Sequence, residues 1–161
     1  DRCRISSKFS KSRFHPIRRC YRAHKGVDFS VPRGTPVRSA GDGKIIKRGY
    51  LGGHGNCIWV KHLGGYTTVY AHLSRFSNFR VGDSIKQGEV IGYVGSTGLA
   101  TGPHLHFEVI CNKVHQDPEK IKLVPKVCLT GTKKDEFKKH VKNLDVQIAS
   151  ASVSTQLALL S

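Results

Sequence analysis

Short runs of alternating or β-branched apolar residues, separated by glycine and proline, dominate the chain as far as residue 110 and predict strands joined by tight turns. The segment GVDFSVPRGTPV, residues 26–37, reads as a strand followed by a turn marked by Pro32, Gly34 and Pro36. Gly43 to Tyr50 reads as a further strand and Leu51 to Gly55 as a glycine-rich loop. NCIWVKHL and YTTVYAHL flank Gly64-Gly65 and predict a hairpin. A two-residue turn there would set Leu63 opposite Tyr66, Trp59 opposite Tyr70 and Cys57 opposite His72. Ile58, Val60, Val69 and Ala71 would then face the core, and His72 would point away from it.

VGDSIKQGEVIGYVG, residues 81–95, predicts short strands between glycine turns. In HLHFEV the alternation puts Leu105, Phe107 and Val109 on one side and His104, His106 and Glu108 on the other, an exposed face carrying two histidines. Residues 1–23 show only weak alternation and read as a first strand and a loop. Beyond Pro118 the chain becomes lysine-rich, and Phe137, Val141 and Leu144 at helical spacing predict a surface helix over 132–144. The pattern therefore predicts a mostly β, antiparallel domain over 1–118 and a basic C-terminal extension over 119–161 with a short helix.

Composition narrows the partners. Lys and Arg number 27 against 11 Asp and Glu, for a formal charge of +16, which favours a polyanion: nucleic acid, anionic membrane or cell-wall polymer. The five cysteines (Cys3, Cys20, Cys57, Cys111 and Cys128) form no C-x-x-C pair, which argues against a cysteine-built metal site. The apolar stretch Val146 to Leu160 is interrupted by Gln, Ser and Thr and is not read as a membrane segment. With no methionine and Asp1 at the start, the sequence reads as a processed or trimmed piece, and an upstream domain or regulator fits that reading.

A catalytic metal asks for three ligands drawn from His, Asp, Glu and Cys, with a fourth position open. His24 and Asp28 lie four apart with Gly26 between them and would share one strand face, the glycine leaving room beside a metal. His104 and His106, two apart, can both reach one site.

HKGVD at 24–28, YAHLS at 70–74 and GPHLHFEV at 102–109 together resemble the lysostaphin-type, LytM-like zinc metalloendopeptidases of bacterial cell walls. The resemblance runs from about Ile5 to Val109. It implies Zn²⁺ on His24, Asp28 and His106, catalytic roles for His72 and His104, and a groove in an antiparallel sheet that holds the metal. Asn56, in the family's Gly-Asn position, reads as a turn residue or a support. Lys8 and Ser10 stand where the family has glycines, and Cys57 where a larger residue is common. The implied substrate is the peptide cross-link of peptidoglycan in the bacterial cell envelope, periplasmic or extracellular. Similarity of the tail to Gram-negative enzymes points to a D-Ala to diaminopimelate bond, with a glycine bridge as the alternative. Anionic wall polymers are compatible partners, and nucleic acid is not expected. Three other readings compete: an inactive relative that regulates another wall hydrolase, a basic β domain that stacks nucleic-acid bases on Trp59, Tyr66 and Tyr70, and a Cys57 nucleophile beside His72.

Overall fold

The computed structural model describes residues 4–15, 19–121, 132 and 135–144. The chain divides into two compact units, Asp1–Lys122 and Leu123–Ser161. The first contains the strands β1 (Arg4–Ser7), β2 (Ser10–His15), β3 (Cys20–His24), β4 (Val27–Ser30), β5 (Pro36–Arg38) and β6 (Gly43–Tyr50). It continues with β7 (Asn56–Lys61), β8 (Tyr66–Phe76), β9 (Ser84–Ile85), β10 (Val90–Val94), β11 (Leu105–Cys111) and β12 (Val114–Gln116). In the second unit residues 135–144 are helical, within the predicted span, and Phe137, Val141 and Leu144 are exposed on it. Among the described residues no helix is long and apolar enough to cross a membrane.

The fold is the mostly β, antiparallel architecture expected. The large sheet runs β1-β4-β11-β8-β7-β6-β9, with β12 on β11 and the β5–β10 pair joined to β8, while β2 and β3 form a separate two-stranded sheet. Its core gathers Ile45, Ile58, Val60, Tyr70, Leu73 and Ile91, with Leu105 and Phe107 packed against them. Each fully buried aliphatic there contributes about 1.5–3 kcal/mol. The Tyr70 hydroxyl stays satisfied inside by accepting from the Ala40 N–H and from the Thr68 hydroxyl.

Four local expectations change. Residues 1–23 carry three strands rather than one, because the basic residues of β2 and β3 sit on a largely exposed hairpin where alternation need not be apolar. The hairpin at Gly64-Gly65 closes with three residues: the His62 N–H donates to the Tyr66 carbonyl around Leu63–Gly65, with Gly64 and Gly65 at φ 74° and 79°. That one extra turn residue slips the register by one, pairing Ile58 with Tyr70, Trp59 with Val69 and Val60 with Thr68. Tyr70 therefore enters the core instead of sharing a face with Trp59, so the two aromatics do not form one exposed face. Cys57 is likewise fully buried, and burial pushes its thiol pKa up, an environment that disfavours the thiolate a nucleophile needs.

His24 and Asp28 do not share a strand. β3 ends at His24, the chain turns through Lys25 and Gly26, and Asp28 sits in β4, paired on one side with β1 and on the other with β11. Gly26 serves this crossing rather than space beside a metal, since a Cβ there would collide with the Phe107 backbone carbonyl. Lastly, the side of β11 that carries His106 and Glu108 is buried, at 8% and 3% exposure, because the turn at residues 52–54 and β12 bring His54 and His115 over it.

Gly26→Ala should thus destabilise the chain by about 3 kcal/mol or more, the upper range for overpacking, because the obstructing atoms are backbone. Gly102→Ala, where nothing lies within 4 Å of the added carbon, should change stability by less than about 0.5 kcal/mol. Urea midpoints of the two variants check this.

Candidate metal centre and catalytic groove

A groove of about 390 Å³ opens on this side of the domain, and all five residues singled out from the sequence line it: His24, Asp28, His72, His104 and His106. In the antiparallel pairing of β4 with β11, Asp28 stands directly opposite His106, so both side chains leave the same face. His24 reaches them from the end of β3. The Nε2 of His24 lies 3.1 Å from Asp28 Oδ1 and 3.1 Å from His106 Nδ1, and the latter two atoms are 2.7 Å apart. A tetrahedral zinc with bonds near 2.0–2.1 Å spaces its ligand atoms about 3.3 Å apart, so this triangle needs only slight widening to hold such an ion.

The ring tautomers point the right atoms inward. His24 donates its Nδ1–H to the Lys8 carbonyl at 2.7 Å, leaving Nε2 for the cluster. His106 donates Nε2–H to Glu108 at 2.9 Å, leaving Nδ1. His72 and His104 donate Nδ1–H to the carbonyls of Thr97 and Gly102 at 2.7 and 2.8 Å. Their rings are 4.6 Å apart, and His104 Nε2 is 3.8 Å from Asp28 Oδ1. One cluster of three donors and two further imidazoles with a free nitrogen thus share the groove, an arrangement able to hold a Lewis acid and move protons beside it.

His72 owes its position to a bulge. The β7–β8 register shifts between Asn56 and Ile58, and His72 takes φ 60°, a left-handed conformation rare outside glycine. Around it Thr97 joins two loops: its hydroxyl accepts from the Asn56 N–H and donates to the Leu73 carbonyl, to which the Asn56 amide also donates. Asn56 is therefore a brace for the bulge, starting β7 at the point where the strand would otherwise be free.

Electrostatics separates the groups. Burial alone would raise the Asp28 pKa, but hydrogen bonds from His106 and His24 hold it well below the usual carboxylate range. Glu108 is held low in the same way, against burial, by His106 and His54. Burial opposes charge on His106, yet the bonds to Asp28 and Glu108 outweigh it and raise its pKa to about 9. His72 goes the other way: burial lowers it to about 4, outweighing the Thr97 hydrogen bond.

Sequence reasoning missed Glu108 as more than a strand residue. It accepts from His106, from His54 at 3.1 Å and from His115 at 3.0 Å. Its place two residues after His106 on an alternating strand was the available signal. Thr97, His54, His115 and Arg13 carried none, because their partners lie 15 or more residues away or across a turn.

Fold and donor set together are those of a metallopeptidase domain. The chain belongs to peptidase family M23, whose model matches residues 22–118, and the lysostaphin-type resemblance of its three motifs is upheld. It is 41% identical to the peptidoglycan DD-endopeptidase ShyC of Vibrio cholerae over 83% of this chain and 31% of that protein. A zinc-containing peptidase from Vibrio cholerae superposes with a TM-score of 0.70 at 38% identity, covering 76% of this chain and 37% of the other. The catalytic domain of lysostaphin from Staphylococcus simulans superposes with a TM-score of 0.64 at 36% identity, over 73% of this chain and 90% of that one. The chain spans about a third of the length of the curated relative.

The His72 shift gives a pH dependence. Its folded pKa of about 4 lies below the unfolded 6.5, so the unfolded state takes up the proton first as pH falls. In the metal-free chain the folded state should be unaffected by this group above pH 6.5 and lose up to about 3 kcal/mol as pH falls through 4. Ring-carbon NMR of metal-free protein should find His72 still neutral at pH 5.5; a midpoint near 6.5 contradicts this assignment.

Proposed function

We propose that this chain is the catalytic part of a zinc metalloendopeptidase that hydrolyses peptide cross-links of peptidoglycan in the bacterial cell envelope, periplasmic or extracellular. The observation that carries this reading is the convergence of His24 Nε2, Asp28 Oδ1 and His106 Nδ1 within 3.1 Å of one another, beside two imidazoles whose Nδ1–H groups are tied to backbone carbonyls. In this reading His24, Asp28 and His106 hold Zn²⁺, His72 and His104 are catalytic, the peptidase domain is 1–118, and 119–161 is an extension. The names of the endopeptidase and zinc-containing relatives support the assignment, and the charge of +16 suits an anionic polymer.

Zinc held there would polarise the scissile carbonyl and lower the pKa of the attacking water. The protein's own groups do the rest. His72, kept neutral by burial, accepts the water's proton at Nε2 while Thr97 fixes its tautomer. The proton that His72 takes up is the one it hands on to the leaving amine, and His104, across 4.6 Å with Nε2 towards Asp28, stabilises developing negative charge when that nitrogen carries a proton. Glu108 orients His106 and strengthens it as a donor through the Nε2–H bond.

Elemental analysis should find one zinc per chain, and a chelator should abolish release of uncross-linked stem peptides from peptidoglycan. Replacing His24, Asp28 or His106 by Ala should lower zinc affinity and activity together. His72→Ala and His104→Ala should keep zinc while turnover falls by about 10²-fold or more. Glu108→Gln should weaken zinc binding by about 10- to 100-fold. Retention of both metal and activity in all five alanine variants overturns the reading.

A further inference from the structure

The groove has one strongly basic wall. β2 and β3 pair with Arg13 directly opposite Arg22, and Arg22 lies two residues before His24 on the same strand, so the three share one face of the hairpin. Both arginines and Lys25 line the groove beside the candidate metal ligands. Like charges set directly opposite one another across two strands are destabilising, so the fold itself gains nothing from the pair.

The wall also lacks counter-charges. Asp28 and Glu108 are the acids that line the groove among the described residues. Glu108 is taken up by three imidazoles. Asp28 turns Oδ1 to His24 and His106 and offers Oδ2 to Arg13 only at 3.5 Å, the outer limit of a hydrogen bond. Arg22 and Lys25 pair with no carboxylate among the described residues. Two guanidinium forks, that of Arg13 3.5 Å from the candidate ligand Asp28, therefore line the groove with donors to spare, and such forks match the planar oxygens of a carboxylate.

The chemistry of the two candidate bonds differs at this point. In a D-alanyl to diaminopimelate cross-link, the carbon attached to the scissile nitrogen also bears a free carboxylate. In a glycine bridge that carbon is a methylene with no charge. We propose that Arg13 and Arg22 bind the carboxylate borne by the leaving-amine residue and so select the D-alanyl to diaminopimelate bond over a glycine bridge. This rests on the peptidase reading above and names its specificity residues; the family match begins at residue 22, so Arg13 lies outside it.

The test uses the full zinc-loaded chain and three probes: a cross-linked stem-peptide dimer with the diaminopimelate carboxylate free, the same dimer with that carboxylate converted to its amide, and pentaglycine. The free-acid dimer should be cleaved with a kcat/KM about 10- to 100-fold above that of the amide, the scale of a hydrogen bond to a charged group, and pentaglycine should be left intact. In Arg22→Gln and Arg13→Gln the acid-to-amide ratio should fall towards one, with zinc content and thermal midpoint measured alongside, and Arg22→Lys should restore part of it. Equal cleavage of acid and amide by the unaltered chain, a full ratio in both Gln variants, or preference for pentaglycine overturns the carboxylate assignment while leaving a working endopeptidase. Cleavage of none of the three by a zinc-loaded chain overturns the peptidase reading and this inference with it.

Discussion

The pairing of Asp28 with His106 across β4 and β11 is the constraint on which the rest of the groove depends. Residues directly opposed in an antiparallel ladder present their side chains on one face with Cβ atoms about 4.5–5.5 Å apart, and a slip of one residue would send one of the two to the far side of the sheet. β11 cannot slip easily, because its other edge is locked to β8 from His106 opposite Ala71 to Cys111 opposite Tyr66. Gly26 then lets the chain pass against the Phe107 backbone on its way into β4. Once that crossing is fixed, His24 arrives from a different sheet at the correct height, and the candidate ligand triangle needs no flexible loop.

The imidazoles that complete the groove are positioned by irregularities instead. His72 sits in a left-handed conformation that costs on the order of 1–3 kcal/mol and persists only where surroundings over-determine it. Those surroundings are visible: Thr97 accepts from His72, and Asn56, Leu73 and Thr97 are tied together by three further hydrogen bonds. His104 precedes β11, held by a bridge to Gly95 and by its own bond to Gly102. A regular strand would have turned every second residue into the groove. The bulge allows one additional histidine to enter where the alternation of β8 serves the core.

This division explains what could be read from the sequence. The run Gly43 to Tyr50 reads as a strand with the bounds β6 has, and period-two alternation places Leu105 and Phe107 on the core side of β11, because strand signals are local properties. The helix over 135–144 was equally local. The five groove residues were legible because three short motifs carry them, even though the strand-face argument for His24 and Asp28 was wrong in its geometry. What escaped were consequences of pairing between distant segments. A three-residue turn in place of two turned Tyr70 into the core and away from the face of Trp59, and the burial of His106 and Glu108 depends on a turn some 50 residues away. Basic residues hid β2 and β3, since this hairpin leaves even its paired aromatics, Phe14 and Tyr21, exposed and buries no apolar side to betray it.

The acceptors behind the four motif histidines of the groove are not equivalent, and the difference follows the work each ring is suited to. His24, His72 and His104 lean on the neutral carbonyls of Lys8, Thr97 and Gly102, whereas His106 leans on the carboxylate of Glu108. A neutral acceptor fixes a tautomer while leaving basicity to the surroundings, so burial can hold His72 at about 4 and keep its outward nitrogen free to receive a proton. A carboxylate acceptor pushes electron density through the ring and makes the opposite nitrogen a stronger donor, which suits a ligand and would hinder a group that must release its proton in each turnover. Burying Glu108 for this purpose would cost several kcal/mol if it stood alone. Hydrogen bonds from His54 and His115 offset that cost, so two histidines with no place in the sequence motifs are needed to let one carboxylate act on a third.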